Sequence, residues 1–513
     1  MFIRIMAALL LLTTTAEAKS LRVMAFGPKG QLLNTAEFLR HIAPQAHKDN
    51  GIPVALSGLH LMDMDGRPVP ERPWWKPDAD KPVWEWEGAE RVMISLPWPI
   101  VKDGFSTVLL DGKGKGYFDG QAILLNEEIA VTAYRRMQEA LKARKAGQPS
   151  YTPSKRVEKM ISQAQKTLSK AHAAKEPRKK ARICDQALTQ TSYAWQQVLY
   201  EHGQQVIHDP KAGPQQRFGV SLDETLIDRI HDFETIADAI DRLGASWVRL
   251  VFSLNRRDFI YAKENSFAPY DKFVEMLAAR KIRVMGSVLD SMLWPKDLTP
   301  QAYQDRTRNL AAHFQDKIRS WEIASEPNAD WLGGTQRPLA REDILLCVQK
   351  AVVAVKKVDA SLETVATLHW WEGTSRRIDN ALFPWLDWAV ARGFGRGVDV
   401  LALSVYPHRH PLGIAFDPVF SELHRRFPDK PLMLGGFSYV DGAKLNGYWW
   451  LEATNIRDAR KDLLVLYTGT AAAVPHGIGG GFYWPTLTQM LPPGRKPTSI
   501  YALYQRTLKR LRR

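Results

Sequence analysis

From residue 217 onward the sequence alternates short apolar runs with segments of helical spacing, and this alternation limits the possible folds more than any other feature. Runs of strand length occur at 217–222, 247–252, 282–288, 321–325, 364–369, 398–405, 431–437 and 481–484. Helix-period segments occupy 233–243, 270–280, 300–315, 344–358, 380–392, 418–426, 457–473 and 500–511. Eight such units in about 300 residues match the size and count of a (β/α)8 TIM barrel. A doubly wound open sheet is the competing architecture, but no glycine-rich phosphate loop follows the first run. The expected class is therefore α/β, with a barrel over 213–513.

The chain in front of the barrel reads differently. Residues 1–18 carry an early Arg4, an apolar run from Ala7 to Leu12 and an Ala16-Glu17-Ala18 ending, the pattern of a cleavable export signal. That run is too short to cross a bilayer, and no later stretch has the length and apolarity of a transmembrane helix. The mature protein is expected to be exported, to the periplasm or beyond. Residues 19–115 hold short strand-like runs separated by turns such as Met64-Asp65-Gly66, which predicts a small β-rich, sandwich-like domain. Trp74, Trp75, Trp84 and Trp86 cluster there; such indoles either stack on sugar rings or fill a small core, and the core is the expected role. Residues 116–212 change to helical spacing, with helices expected near 124–146, 153–174 and 178–206 and a linker at Asp209-Pro210.

Charge and cysteine content exclude some functions. The net charge is +15, and much of the excess lies between Lys142 and Arg182, with a second cluster at Lys509-Arg510-Leu511-Arg512-Arg513. Neither cluster has interleaved aromatics or a nucleic-acid module, so no nucleic-acid partner is expected. Solvated helix faces are the simplest reading, and binding of an anionic polymer is the functional alternative. Cys184 and Cys347 are the only cysteines. They fall on segments read as different helices, and two buried thiols are expected rather than a disulfide. No CxxC or HExxH spacing supports a metal site, and no cofactor motif is present.

Chemistry concentrates in Trp321-Glu322-Ile323-Ala324-Ser325-Glu326-Pro327-Asn328. A period of two puts Glu322 and Glu326 on one face of a strand, and Pro327 ends the strand because it has no N–H to continue a ladder. Glu326 is thereby placed at the lip of a barrel, where active sites of this fold lie. A lone Ser-Glu-Pro would equally suit a carboxylate capping a loop. This stretch resembles the strand-four signature of clan A glycoside hydrolases, usually Asn-Glu-Pro, with Ser325 in place of the Asn. The order of a strand-rich front, "GYFDGQAILLNEEIAVTAYRRM" and long helices resembles a bacterial group of exported, family 10-like (xylanase-like) proteins.

The resemblance implies that Glu326 is the general acid/base, kept protonated near neutral pH by an enclosed apolar site. It implies further that Arg249 in "WVRL" steadies a carboxylate, that Tyr406 and His408 in "VDVLALSVYPH" approach the reacting centre, and that Trp484 in "GGGFYWPT" is a sugar platform. Arg249 also suits a buried ion pair, His408 a plain polar loop and Trp484 core packing. At strand seven, where the family carries a nucleophilic Glu, "KPLMLGGFSYVDG" has Gly435 and Gly436. A hydrolase therefore needs a second carboxylate elsewhere. Asp290 and Glu372 are the leading candidates, with Asp330 and Asp441 as further loop acids. The alternative is a barrel that binds a glycan without cutting it. Trp294, Trp331, Trp370, Trp371, Trp449 and Trp450 lie on expected mouth loops and suit a polysaccharide or oligosaccharide partner, or plain packing.

Overall fold

The computed structural model describes residues 18–42, 48–49, 52–53, 59–67, 69, 82–101, 104–148, 150–252, 267–334, 338–370, 378–407, 410, 412–439 and 455–511. The front of the chain forms β1 (Lys19–Met24), a short helix α1 (Thr35–Ile42), β2 (Lys48–Asp49), β3 (Ile52–Pro53), β4 (His60–Met62), β5 (Val83–Trp86), β6 (Met93–Val101), β7 (Gly104–Leu110) and β8 (Ala122–Leu124). β1 lies between antiparallel β5 and parallel β8, and β4, β6 and β7 make a separate antiparallel sheet. In β5 the alternation is strict. Trp84 and Trp86 point inward and are 1% and 2% exposed, so these indoles fill the core, while Trp74 and Trp75 lie outside the described residues.

Three helices follow: α2 (Leu125–Gly147), α3 (Lys155–Ala173) and α4 (Pro177–His208). Ser154 caps α3 by accepting from the Val157 N–H, and Pro177 starts α4 where its missing N–H costs nothing. Cys184 on α4 is buried and free, as is Cys347.

The eight later runs are β9 (Gly219–Leu222), β10 (Trp247–Val251), β11 (Arg283–Ser287), β12 (Ser320–Ser325), β13 (Glu363–His369), β14 (Val400–Val405), β15 (Leu432–Phe437) and β16 (Gly477–Tyr483). They pair in parallel and in order, and β16 returns to β9, which closes a (β/α)8 TIM barrel. Its helices are α5 (Phe233–Leu243), α6 (Ala268–Ala279), α7 (Pro300–His313), α8 (Arg341–Val358), α9 (Leu382–Val390), α10 (Phe416–Arg426), α11 (Ile456–Ala471), the single turn α12 (Thr486–Gln489) and α13 (Ser499–Leu511). β16 begins four residues before the expected 481. Gly479, Gly480 and Gly481 hide it from any apolar pattern, and all three have positive φ, which a side chain would oppose.

The barrel interior is layered from bottom to mouth. At the lower end Arg217 makes a two-pronged ion pair with Glu363 and lies 4.4 Å over the Trp247 ring. Met285, Val365, Val400, Met433 and Phe482 pack the apolar layer with Trp247. Above them comes a charged layer. Arg249 Nε donates to Glu322 Oε2 at 2.9 Å, Ser287 and Thr367 hydroxyls donate to the same carboxylate, and both ions are almost fully buried. A buried pair of this kind is tolerable only because the remaining lone pairs are satisfied.

The front regions are tied to the barrel through buried polar contacts. Arg144 at the end of α2 forms an ion pair with Asp417 of α10 and donates to the Ala473 carbonyl at 3.0 Å. The Ser106 hydroxyl of β7 accepts from the Ile414 N–H at 2.7 Å. A cavity of about 1490 Å³ lies between β4, α2, α4 and the α9–α10 flank. His60 and His202 line it, both buried, and burial lowers the first to a pKa of about 4 and the second to about 3. Among the described residues, no helix is long and apolar enough to cross a membrane.

Candidate functional site

Glu326 leaves the barrel in an unusual way. The ladder between β12 and β13 shifts register between Glu322 and Ala324, a bulge that breaks the expected period of two. Glu322 and Ser325, three residues apart, both meet Arg249. The next residue, Glu326, takes a left-handed backbone with φ +52°, a conformation that costs a non-glycine residue about 1 kcal/mol or more. It is held there by its N–H, which donates to the Thr367 carbonyl at 2.7 Å, and by its carbonyl, which accepts from the Ala329 N–H. Glu326 is thus carried off the face that holds Glu322. Its carboxylate lies among residues from the ends of β11, β13 and β14.

Both of its oxygens are engaged. Ser404 Oγ donates to Oε1, Ser291 Oγ donates to Oε2 at 2.6 Å, and His369 Nδ1 stands 3.6 Å from Oε1. Burial pushes this carboxyl up, but His369 and the two hydroxyls outweigh it and bring the pKa down to about 2. This reverses the expectation of a protonated Glu326. An apolar enclosure would have raised the value, whereas the actual enclosure is built of donors.

Asp290 follows β11 and brings a second carboxylate to the cluster. It accepts from Arg249 Nη2 at 3.0 Å and from the Met292 N–H. Here burial prevails: desolvation and the charge of Glu326 push Asp290 up, against the pull of Arg249. Glu224, half-buried at the end of β9, is also raised, by burial and by its neighbours Asp223 and Asp290. Arg249 itself is held charged despite burial by Glu322 and Asp290.

Aromatic groups wall this cluster. The Trp331 indole N–H donates to Ser291 Oγ at 3.2 Å, and the ring meets His369 edge-on at 5.0 Å. Tyr406 stacks on His369 at 5.9 Å and meets Trp484 edge-on at 6.3 Å. Burial and the charges of Glu326 and Asp290 raise the Tyr406 phenol well above its usual range. Trp331, Tyr406 and Trp484 are all half-buried, so each keeps some surface for a ligand. Asn328 braces the arrangement: its side chain accepts from the His369 N–H at 2.8 Å and donates to the His369 carbonyl at 2.9 Å.

The structure therefore gathers Glu326, Asp290, Arg249, Tyr406, Trp331 and Trp484 at one end of the barrel. Trp294 and Trp370, expected on mouth loops as sugar-binding surfaces, are instead core: they are 4% and 2% exposed, sit in the main apolar core, and the Trp294 ring packs on Tyr303 at 4.9 Å. Aromatic density on a loop does not distinguish a wall from a floor. Glu372 and His408 lie outside the described residues, as do Trp371, Asp441, Trp449 and Trp450. Ser291, His369 and Ser404 were not singled out from the sequence. His369 was legible only as a strand end, and the two serines carry no motif. At strand seven a Cβ on Gly435 would press into Thr367 at 2.8 Å, whereas one on Gly436 would stand 3.5 Å from the Tyr406 hydroxyl in ordinary contact. Position 436 faces the mouth and has nothing to present. Among the described residues, no group of three His, Cys, Asp or Glu side chains converges to hold a metal ion.

No protein-family model matches the sequence. No curated protein matches it either. Among solved structures, the chain is similar to a β-glucosidase from Thermotoga maritima bound to galacto-hydroximolactam, with 13% identity over 56% of this chain and 87% of that one and a TM-score of 0.42. It is similar to the β-glycosidase BGL167 at 14% identity over 58% and 96%, TM-score 0.42. A Thermotoga maritima family 1 glycoside hydrolase bound to a cyclophellitol analogue gives 12% identity over 56% and 87%, TM-score 0.42. No residue role follows from likeness at this level.

Proposed function

We propose that this chain is an exported, clan A glycoside hydrolase-like barrel whose mouth binds a polysaccharide, with ionised Glu326 as the polar anchor. The observation that carries the reading is the Glu326 carboxylate, hydrogen-bonded on both oxygens by Ser291 and Ser404, whose surroundings the half-buried Trp331, Tyr406 and Trp484 wall through Ser291 and His369. A carboxylate has about four acceptor sites, so lone pairs remain for sugar hydroxyls while the rings offer apolar faces to the pyranose. The glycine at 436 supports binding without cleavage through the usual strand-seven nucleophile. The finer likeness to an exported family 10-like group is part of the same proposal and rests on the sequence alone.

A second reading is favoured by one observation, the opposed shifts of Asp290 and Glu326. In that reading Asp290 is the proton donor to the glycosidic oxygen, and Glu326 takes a proton from the attacking water. Opposed shifts of two neighbouring carboxyls mark such a division of labour. The two readings are separated by incubating wild type, Glu326→Gln and Asp290→Asn with a panel of neutral glycans. Binding by wild type without product, weakened in Glu326→Gln, supports recognition alone. Product formed by wild type and lost in both variants supports hydrolysis by this pair of carboxyls.

A further inference from the structure

One surface outside the barrel carries charge in a pattern that the mouth does not explain. On α3, Lys155, Lys159, Lys166 and Lys170 are all exposed. At 3.6 residues per turn they fall within an arc of about 60°, and at 1.5 Å per residue the row is about 22 Å long. Val157, Ala164, Thr167 and Ala171, the buried positions of the same helix, centre about 135° away. The row therefore crowns the ridge opposite the packed face. None of the four lysines has an acidic partner among the described residues. Several other lysines do have partners: Lys180 with Glu127, Lys317 with Glu275 and Lys356 with Asp399.

The surroundings strengthen the field. Glu158 and Glu176 are the only acidic residues from 155 to 182, and the turn into α4 adds exposed Lys175, Lys179 and Arg182. Four like charges in line repel one another and give nothing back in ion pairs, so the arrangement gains only when a counter-charge lies along it. The apolar side chains of α3 are turned inward, Met160, Ile161 and Leu168 among them, so nothing there inserts into a bilayer. No Phe, Tyr or Trp lies on α3 to stack on bases.

We infer that the α3 lysine row is a docking strip for a linear anionic polysaccharide, one bearing a carboxylate on successive sugars. The choice of a glycan over another polyanion rests on the reading of the mouth given above; the strip itself rests only on the row. The strip holds the chain by charge, at a surface separate from the residues that contact Glu326.

The test is affinity electrophoresis and calorimetry of the full chain with polygalacturonate, with an uncharged β-glucan and with duplex DNA as comparisons. Wild type is expected to bind polygalacturonate and to lose affinity with salt. At about 0.7 counterions per contact, four contacts give a roughly 20-fold loss for a threefold rise in salt. The variant with all four lysines changed to Gln, which are exposed positions and leave the fold intact by circular dichroism, is expected to lose at least tenfold in affinity and most of the salt dependence. Its binding of neutral oligosaccharide at the mouth is expected to be unchanged, so failure of the strip and failure of the mouth are read separately. An unaltered affinity in the Gln variant overturns the strip. Tighter binding of duplex DNA than of polygalacturonate overturns the polysaccharide assignment.

Discussion

Glu326 is the residue on which the mouth turns, and its environment fixes its charge. A carboxyl with a folded pKa of about 2 is stabilising above its unfolded value, near 4.3, and loses that contribution as pH falls toward 2. The stability lost in Glu326→Gln is expected to be about 3 kcal/mol at pH 7, to order of magnitude, and to shrink as pH drops from 4.3 toward 2. Denaturant titrations at pH 7, 4 and 3 check this; a difference that grows on acidification contradicts it. Position 436 offers the converse test. A Cβ there meets only ordinary contacts, so Gly436→Glu is expected to fold and to set a carboxyl toward Tyr406. If the barrel binds without cutting because that group is missing, the variant is expected to release reducing sugar from a bound oligosaccharide where wild type does not. A variant that folds and binds but still releases none removes the missing nucleophile as the explanation.

At the scale of elements, the strand ends matter more than the strands. Asn328 clamps the end of β13 through both hydrogen bonds to the His369 backbone. Asn328→Ala is expected to cost about 2 kcal/mol in stability and, by releasing His369, to weaken glycan binding about tenfold. Asn328→Asp is expected to restore neither, because Asp cannot donate to the His369 carbonyl. The same scale decides what was legible in the sequence. Apolar runs and helical spacing located the barrel strands within a few residues, since burial on both faces leaves a continuous apolar signal. β16 began early because glycines carry no such signal. The bulge after Glu322 and the left-handed backbone at Glu326 could not be read, because both are set by the neighbouring strand rather than by local residue type. For the same reason a protonated Glu326 was expected. The sequence names the acid, while Ser291 and Ser404 become its donors only when β11 and β14 close around it.

At the scale of the whole molecule, the front regions and barrel are joined by buried polar contacts that make docking sensitive to charge. Arg144→Ala leaves Asp417 buried without its partner and is expected to destabilise by about 3–5 kcal/mol. Changing both residues to apolar ones of similar volume is expected to recover most of that, as measured by chemical denaturation. His60 and His202 add a pH dependence of definite sign. Their folded pKa values lie below the unfolded value near 6.5, so the unfolded chain binds more protons and stability falls as pH drops from about 6.5 toward 4. The melting temperature is expected to decline across that window, and less steeply in His60→Gln. The central claim is that ionised Glu326, in the cluster walled by Trp331, Tyr406 and Trp484, anchors a glycan at the barrel mouth. Its most direct test is calorimetric titration of wild type and Glu326→Gln at pH 6 with a panel of neutral oligosaccharides. The account expects saturable binding by wild type to at least one of them and at least tenfold weaker binding by the variant. Equal affinity in the two proteins, or no binding by wild type to any neutral saccharide, contradicts it.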